Sequence, residues 1–568
     1  MNVRVALAQI NPTVGDLEGN CRKITHFLEE ARRLQTDLVT FPELVTTGYP
    51  PEDLLFKKSF LKKNELSIRR LLPHTKGITC IVGFAHSEGG RLYNASAVLS
   101  DGRIKAVYHK NHLPNYGVFD ERRYFAPGRE SLVFLQGKLR TGLSICEDLW
   151  VEKGPLWIAA REGGARLLVN ISASPYEAGK QVERRKLFSR RAKEAGAHLI
   201  YTNLVGGQDE LVFDGGSMIF DGKGKLIQRA PQFEEAFLVC DLEIPPSAQK
   251  KSSGKKQVVF CRLPEKKIKE RSPLPSRTPH LLLSREEEIY QALVLGTRDY
   301  VRKNGFQKVV LGLSGGIDSS LVACLAADAL GKDQVIGVSM PTQYSSRETR
   351  EDAESLAKGL GIRFIELPID AVFQGLLNLL SDLFGGVKEG IAVENLQARI
   401  RGMLLMALSN QFGWLVLTTG NKSEMSTGYC TLYGDMAGGF AVIKDVPKTG
   451  VYALAHFRNR THPVIPQTVI AREPTAELKP NQKDSDTLPP YEVLDPILTA
   501  YIEKNLTMAQ MKAAGFREAI VKEVIRKVDG NEYKRRQGPP GVKITPRAFG
   551  KDWRFPITNR YREDEASG

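Results

Sequence analysis

Residues 309–320 read VVLGLSGGIDSS. Val309, Val310, Leu311 and Leu313 make a short apolar run that predicts a buried parallel strand, and from Ile317 onward Leu321, Val322 and Leu325 recur at helical spacing. Gly312 to Ser319 (Gly312, Leu313, Ser314, Gly315, Gly316, Ile317, Asp318, Ser319) therefore span the junction between them, with Ser314-Gly315-Gly316 as the tight loop. A glycine loop at a helix N-terminus lets backbone N–H groups approach an anion, and the helix dipole favours negative charge there. No Gly-Lys-Ser/Thr follows the glycines, so this is not a Walker loop. Asp318 falls instead in the first helical turn, where a carboxylate can hold Mg2+ against bound phosphates. An ordinary strand–turn–helix junction is the plain alternative, but Ser-Gly-Gly-x-Asp-Ser is more specific than a bare Gly-Gly.

Outward from this loop, strands and helices alternate. Strands are expected at 335–340, 364–367 and 415–418, with helices at 346–360 and 394–412 between them. Such alternation predicts a doubly wound parallel sheet whose ligand site lies at the carboxyl ends of its strands. The loop and Thr418-Thr419-Gly420 both fall at such ends. Upstream, Ser284-x-x-Glu287 before a helical run reads as a capping box that opens this domain. From 245 to 279 the pattern lapses into Pro, Ser and Lys, so the organisation expected is a first domain over 1–262, a linker over 263–283 and a second domain over 284–568.

The first half reads as α/β as well, but with more hairpins than a βαβ fold. Glu88-Gly89-Gly90-Arg91 and Asp101-Gly102 are turn signals, and so is Asp221-Gly222-Lys223-Gly224. A helix is expected at 186–197. Glu43, Lys110 and Cys146 stand at the ends of expected strands. Taken singly they are also a turn residue, a surface charge and a small core hydrophobe.

Bulk properties narrow the classes. The chain has 568 residues, 42% hydrophobic and 26% charged, enough for two to four domains with their own cores. The net charge of +15 sits partly in runs at Lys250-Lys251, Lys255-Lys256 and Lys266-Lys267 with Lys269. They read as a solvated linker, without the aromatic interleaving of a nucleic-acid surface. Seven scattered cysteines with no CxxC pair argue for reduced thiols in a cytoplasm. No export signal is evident at the N-terminus, and the uncharged stretch 402–420 reads as a buried helix and strand, not a membrane span.

Three stretches of the first half carry a resemblance. Thr40-Phe41-Pro42-Glu43-Leu44, Lys110-Asn111-His112-Leu113-Pro114-Asn115-Tyr116 with Phe119-Asp120-Glu121, and Ser144-Ile145-Cys146-Glu147-Asp148 resemble the three signature regions of the nitrilase superfamily, in the family's order. The resemblance covers about residues 1–260. It implies a four-layer α-β-β-α sandwich and a Glu43–Lys110–Cys146 triad acting on an amide or nitrile carbon. The amidotransferase branch implies glutamine contacts at Tyr116, Ser174 and Lys180. Glu121 reads either as a second structural carboxylate or as a surface salt bridge. The chemistry suits the residue types: a thiol needs a base to become a nucleophile, and a developing oxyanion needs a fixed positive charge.

The second half resembles the ATP pyrophosphatases, and within them NAD synthetase. The residues that carry this are the SGGxDS loop, Glu394-Asn395-x-Gln397-Ala398-Arg399, residues 418–424 (TTGNKSE), Tyr433-Gly434-Asp435, Lys444-Asp445-Val446-Pro447-Lys448, Glu477-Leu478-x-Pro480-Asn481-Gln482 and residues 532–537 (EYKRRQ). The resemblance implies ATP contacts along Gly312 to Ser319 and at Thr419 and Lys444. It implies Mg2+ ligands at Asp318 and Glu424, and deamido-NAD contacts at Asn395, Glu424, Asp435 and Lys534. Together the two halves imply a glutamine-dependent amidation of deamido-NAD, with ATP as co-substrate, ammonia passed internally between sites, a homo-oligomer, and neither nucleic-acid nor membrane partners. The rival is a stand-alone amidase whose second half only senses nucleotide, and Asp318 with Glu424 speaks against it.

Overall fold

The computed structural model describes residues 1–247, 258–265, 271–275, 278–386, 390–480 and 482–561. The lysines at 250–256 and 266–269, and Asn481, lie outside the described residues. The chain groups into two units, residues 1–208 with 212–283, and residues 209–211 with 284–568.

In the first unit, the strand Asn2–Gln9 shows how alternation builds layers. Val3, Val5 and Leu7 enter one core cluster with Leu143, Ile145 and Val169, while Ala6, Ala8 and Ile10 enter another with Ile24, Leu28 and Ile68. The strand is thus buried on both faces. One sheet has six strands in the order Ala236–Glu243, Asn2–Gln9, Leu38–Thr40, Thr79–Glu88, Arg91–Ser100 and Arg103–His109. Its outer face meets the helices Leu17–Arg33 and Lys58–Leu71. The second sheet has seven strands, centred on Leu139–Ile145, Leu167–Ser172 and His198–Asn203, and packs Phe188 and Ala192 of the helix Lys180–Ala195 on its far side. This is the α-β-β-α sandwich.

The second unit carries a five-stranded, wholly parallel sheet in the order Arg363–Glu366, Val335–Ser339, Val309–Gly312, Leu415–Thr418 and Phe440–Ala441. The chain moves one way from Val309–Gly312 and later returns to its other flank. The switch point therefore lies between Val309–Gly312 and Leu415–Thr418, where doubly wound sheets open a ligand crevice.

Four elements differ from expectation. The strand Val258–Leu263 pairs in parallel with Ser131–Gln136, inside a region whose composition suggested the end of the domain. The helix expected from 186 begins at Lys180, because its buried early positions are Gln181 and Arg184 and give no apolar signal. The helix Asp370–Phe384 was not anticipated. The helix Ile391–Phe412, expected to be buried over its later half, leaves Met403, Met406 and Phe412 exposed. All seven cysteines are free, and among the described residues no helix is long and apolar enough to cross a membrane.

Candidate active sites

Glu43 follows the strand Leu38–Thr40 on a turn pressed against Gly83. A Cβ on Gly83 would lie 2.4 Å from the Leu44 nitrogen and 2.5 Å from the Pro42 oxygen, so only glycine lets the two segments approach. Glu43 is buried, with Oε2 accepting from the Ala173 N–H (2.8 Å) and Oε1 accepting from Asn94 Nδ2 (2.7 Å) and Lys110 Nζ (2.7 Å). The Lys110 ammonium also donates to Glu121 Oε1 (2.8 Å), which takes a further hydrogen bond from the Tyr49 hydroxyl (3.0 Å). Burial pulls the Lys110 pKa down, but the Glu121 and Glu43 carboxylates outweigh it and hold the group well above the ordinary lysine range. Burial raises Glu121 to about 7 against the pull of Lys110. One lysine is thus clamped between two carboxylates, a geometry that fixes its ammonium in place.

Cys146 ends the strand Leu139–Ile145 at φ 41°, a left-handed conformation uncommon for a side-chain residue, and begins the short 3-10 turn Cys146–Leu149. Burial pushes the thiol pKa well up, and Glu43 pushes it further, with Lys110 opposing. The resting sulfur is therefore a thiol, and a base must remove its proton at the moment of attack. The elbow is anchored by Asp148. Its Oδ2 accepts from the Ile145 N–H (3.1 Å) and the Tyr108 hydroxyl (2.7 Å), and its Oδ1 accepts from the Asn111 and His112 N–H groups (3.2 and 2.9 Å). Asp148 thereby ties the nucleophile's turn to the chain that follows Lys110. Sequence reasoning missed this role, for which Glu-Asp after Cys146 is the faint signal.

The three expected glutamine contacts arrive by different routes. The Tyr116 hydroxyl donates to Glu147 Oε2 (3.0 Å), beside the nucleophile. Ser174 follows Ala173, the donor to Glu43, and its carbonyl and hydroxyl oxygens accept from Arg184 Nη2 (2.9 and 3.0 Å). Arg184 is itself fully buried and paired with Asp214 at 2.7 and 2.9 Å. This inner pair, invisible in the sequence, shapes the Ser174 loop. Lys180 pairs with Glu177 (3.0 Å) and lies over the Trp150 ring at 5.7 Å. The structure brings Tyr116 to the elbow and Ser174 to the Glu43 side, while Lys180 keeps to Glu177 and Trp150.

In the second unit, the Ser314–Gly316 loop opens a cavity of about 190 Å3 at the switch point, lined by Ser314, Gly316, Asp318, Glu424, Lys448 and Arg472 among others. Gly315 has φ 83°, and a Cβ there would stand 2.0 Å from the Thr349 oxygen, so the loop depends on this glycine. Ser319 steadies it: Ser314 N–H donates to Ser319 Oγ (3.3 Å) and Ser319 Oγ donates to the Gly316 oxygen (3.1 Å). Asp318 Oδ2 accepts from Lys448 Nζ (2.5 Å), and Glu424 Oε1 lies 3.6 Å from the same ammonium. Asn421 joins the two acids, its Nδ2 donating to Asp318 Oδ1 (2.9 Å) and its N–H to Glu424 Oε2 (3.2 Å). Burial and the Asp318 charge raise Glu424 to about 8. Two hard oxygen ligands thus converge where a cation already sits, which fits the ligand set Mg2+ takes. Arg472 donates to the Gly315 oxygen (3.2 Å) and to Asp352 Oδ2 (2.5 Å), adding a second fixed cation beside the loop.

The remaining candidates divide. Asn395, Asp435 and Lys534 converge on residues 428–431. Asn395 Oδ1 accepts from Thr431 Oγ1 (2.6 Å), Asp435 Oδ1 from the Thr431 N–H (2.7 Å), and Lys534 Nζ donates to the Gly428 and Cys430 oxygens (2.8 and 3.0 Å). Of these, Asp435 lines the cavity. Thr419 follows the strand Leu415–Thr418 at the switch point. Lys444 is turned aside: its ammonium donates to the Pro539 oxygen (2.8 Å), and burial lowers its pKa. The cavity's lysine is Lys448, four residues on.

With both sites in view, the likeness to known proteins is extensive. The carbon-nitrogen hydrolase family model matches residues 4–249, and the NAD synthase family model matches residues 289–538. A glutamine-dependent NAD(+) synthetase of Thermotoga maritima is 50% identical over 99% of this chain and 99% of its own length. The chain belongs to the glutamine-dependent NAD(+) synthetase family. This family joins a glutaminase domain of the carbon-nitrogen hydrolase type to an NAD synthase domain, and the nucleotide-sensing alternative is not favoured. Among solved structures, the glutamine-dependent NAD+ synthetase of Acinetobacter baumannii, in complex with adenosine diphosphate, is 41% identical over 98% of this chain and 99% of that one, with a TM-score of 0.75. The enzyme from Cytophaga hutchinsonii, 24% identical over 98% of each chain, shares the fold at a TM-score of 0.81.

Proposed function

We propose that the first site hydrolyses glutamine through Cys146, Glu43 and Lys110, and that the second uses the nitrogen released to amidate deamido-NAD at the expense of ATP. The observation that carries this reading is that one chain holds both a lysine clamped between two carboxylates beside a buried thiol and a carboxylate-lined cavity at a glycine loop.

In the first site, Glu43 takes the Cys146 proton as the sulfur attacks the amide carbon, because the thiol is protonated at rest. Lys110, with the Glu147 N–H, faces the oxygen on which negative charge develops. Protonated Glu43 then delivers the proton to the leaving ammonia, and water hydrolyses the thioester with Glu43 again as base. Glu121 does not need to exchange protons; it holds Lys110 from the other side. Tyr116, Ser174 and Lys180 form the glutamine contacts.

In the second site, the loop from Gly312 to Ser319 and the amino end of its helix would cradle the ATP phosphates, with Lys448 and Arg472 as fixed cations. Asp318 and Glu424 would hold Mg2+, which supplies charge neutralisation at the phosphates. The deamido-NAD carboxylate attacks the α-phosphorus and pyrophosphate leaves; ammonia then displaces AMP. Thr419 would contact ATP, and Asn395, Asp435 and Lys534 would shape the deamido-NAD side through residues 428–431. Without a P-loop lysine reaching the outer phosphates, the loop suits retention of a leaving pyrophosphate.

The test is incubation with deamido-NAD, Mg-ATP and either glutamine or ammonium, following NAD, AMP and pyrophosphate. Equal yields of NAD and AMP from both nitrogen sources support the reading; ADP in place of AMP would refute it. An ammonia scavenger in the medium should spare glutamine-driven synthesis if ammonia passes internally.

A further inference from the structure

His86 and His109 are used by neither reaction, yet their rings meet. His86 lies on the strand Thr79–Glu88 and His109 ends the strand Arg103–His109, on either flank of Arg91–Ser100. The register pairs His86 with Tyr93 and His109 with Ala95. Tyr93 and Ala95 are two residues apart and share a face, so both histidines project to that face, and Glu88 joins them two residues beyond His86. His86 Nδ1 lies 2.9 Å from His109 Nε2, and Glu88 Oε2 lies 4.0 Å from the same His109 nitrogen. All three ligand atoms fall within 4.8 Å of one another. Tyr93 stacks on the His109 ring at 3.9 Å and 7°, which fixes the plane in which its nitrogen points.

We propose that His86, Glu88 and His109 bind one divalent transition-metal ion of the Zn2+ class. Two imidazoles and one carboxylate are a donor set suited to Zn2+, Co2+, Ni2+ or Cu2+, whereas Mg2+ and Ca2+ prefer oxygen alone. At metal–nitrogen bonds of about 2.0–2.1 Å in tetrahedral geometry, two ligand nitrogens stand roughly 3.3 Å apart. The rings need to part by only about 0.4 Å from their present contact. Without the ion, one ring's N–H donates to the other ring's nitrogen; the ion takes the place of that hydrogen bond, and the donor's proton moves to its second ring nitrogen so that both imidazoles bind as neutral ligands. Glu88 is 66% exposed, so the third ligand and the open position face solvent and give the ion a route in. Occupation would cross-link the strand Thr79–Glu88 to the end of Arg103–His109, one residue before Lys110.

The test is titration of the full chain, stripped with a chelator and held in excess Mg2+, with Zn2+ by calorimetry, alongside His86→Gln and Glu88→Gln. The wild type should bind one ion that His86→Gln lacks, and Glu88→Gln should bind it more than about tenfold more weakly. Cu2+ as an alternative probe should show two coordinated imidazole nitrogens by electron paramagnetic resonance in the wild type only. Glu88 is exposed, so its variant keeps the fold if His86→Gln does not. Unchanged affinity in Glu88→Gln, or an isotherm for folded His86→Gln that superimposes on the wild type, would overturn the assignment.

Discussion

Gly315→Ala should disable NAD formation while sparing the glutaminase. The new Cβ would lie 2.0 Å from the Thr349 oxygen, 2.8 Å from its carbonyl carbon and 3.0 Å from its Cα. A carbon–oxygen contact needs about 3.3 Å, so the loop or the first turn of the helix Arg347–Leu360 must retreat by about 1.3 Å. The left-handed backbone at φ 83° adds roughly 1–2 kcal/mol for a residue with a side chain. Misplacing a reacting group by about 1 Å costs on the order of 100-fold in rate. Ammonium-driven NAD formation should therefore fall about 100-fold or more, while glutamine hydrolysis at Cys146 continues. Gly316→Ala is the control: its Cβ would meet nothing closer than Ser314 Oγ at 3.4 Å, so the protein alone tolerates it. Any loss in that variant then reports the approach of phosphate to the backbone. NAD formation by folded Gly315→Ala within about threefold of the wild type, a difference of about 0.7 kcal/mol, would refute the reasoning.

Lys448→Ala leaves Asp318 and Glu424 without their shared cation and should cut ammonium-driven NAD formation by about 100-fold or more, with glutaminase activity unchanged; equal losses in both assays would contradict a role confined to the second site. Asp214→Ala strands the buried Arg184 guanidinium and should destabilise the first unit by roughly 3–5 kcal/mol in urea unfolding, whereas a loss under about 1 kcal/mol would mean the pair is not needed. Glu121 has a folded-state pKa raised to about 7, so its proton stabilises the fold fully below the ordinary carboxyl range and that contribution is lost as pH rises through about 7. Glu121→Gln should flatten the fall in unfolding midpoint across that window; parallel wild-type and variant curves would speak against the shift.

The glycine loop, its strand and its helix were legible because a strand–turn–helix junction is local, and so was the thiol at the end of its strand. Lys448 was not: the choice between it and Lys444 is settled by a helix that begins after Pro447, which carries Lys448 to Asp318 and Glu424 while Lys444 meets Pro539. Asp148, Arg184 and Arg472 stayed hidden for the same reason, since Tyr108, Asp214 and Gly315, to which they bond, lie 40, 30 and 157 residues away from them. The strand Val258–Leu263 was missed because an edge strand in a Lys-rich stretch shows little alternation of apolar residues, with Leu263 its buried member. Asn395 and Lys534 were singled out by resemblance, and their bonds to residues 428–431 give them a part in shaping a loop that pattern alone would not suggest.

The division of labour between the two sites is most directly tested by Cys146→Ala, assayed with deamido-NAD and Mg-ATP against glutamine and, separately, ammonium. The account predicts that NAD formation from glutamine disappears and that formation from ammonium continues at the wild-type rate. Persistence of the glutamine reaction, or loss of both in a folded protein, would contradict it.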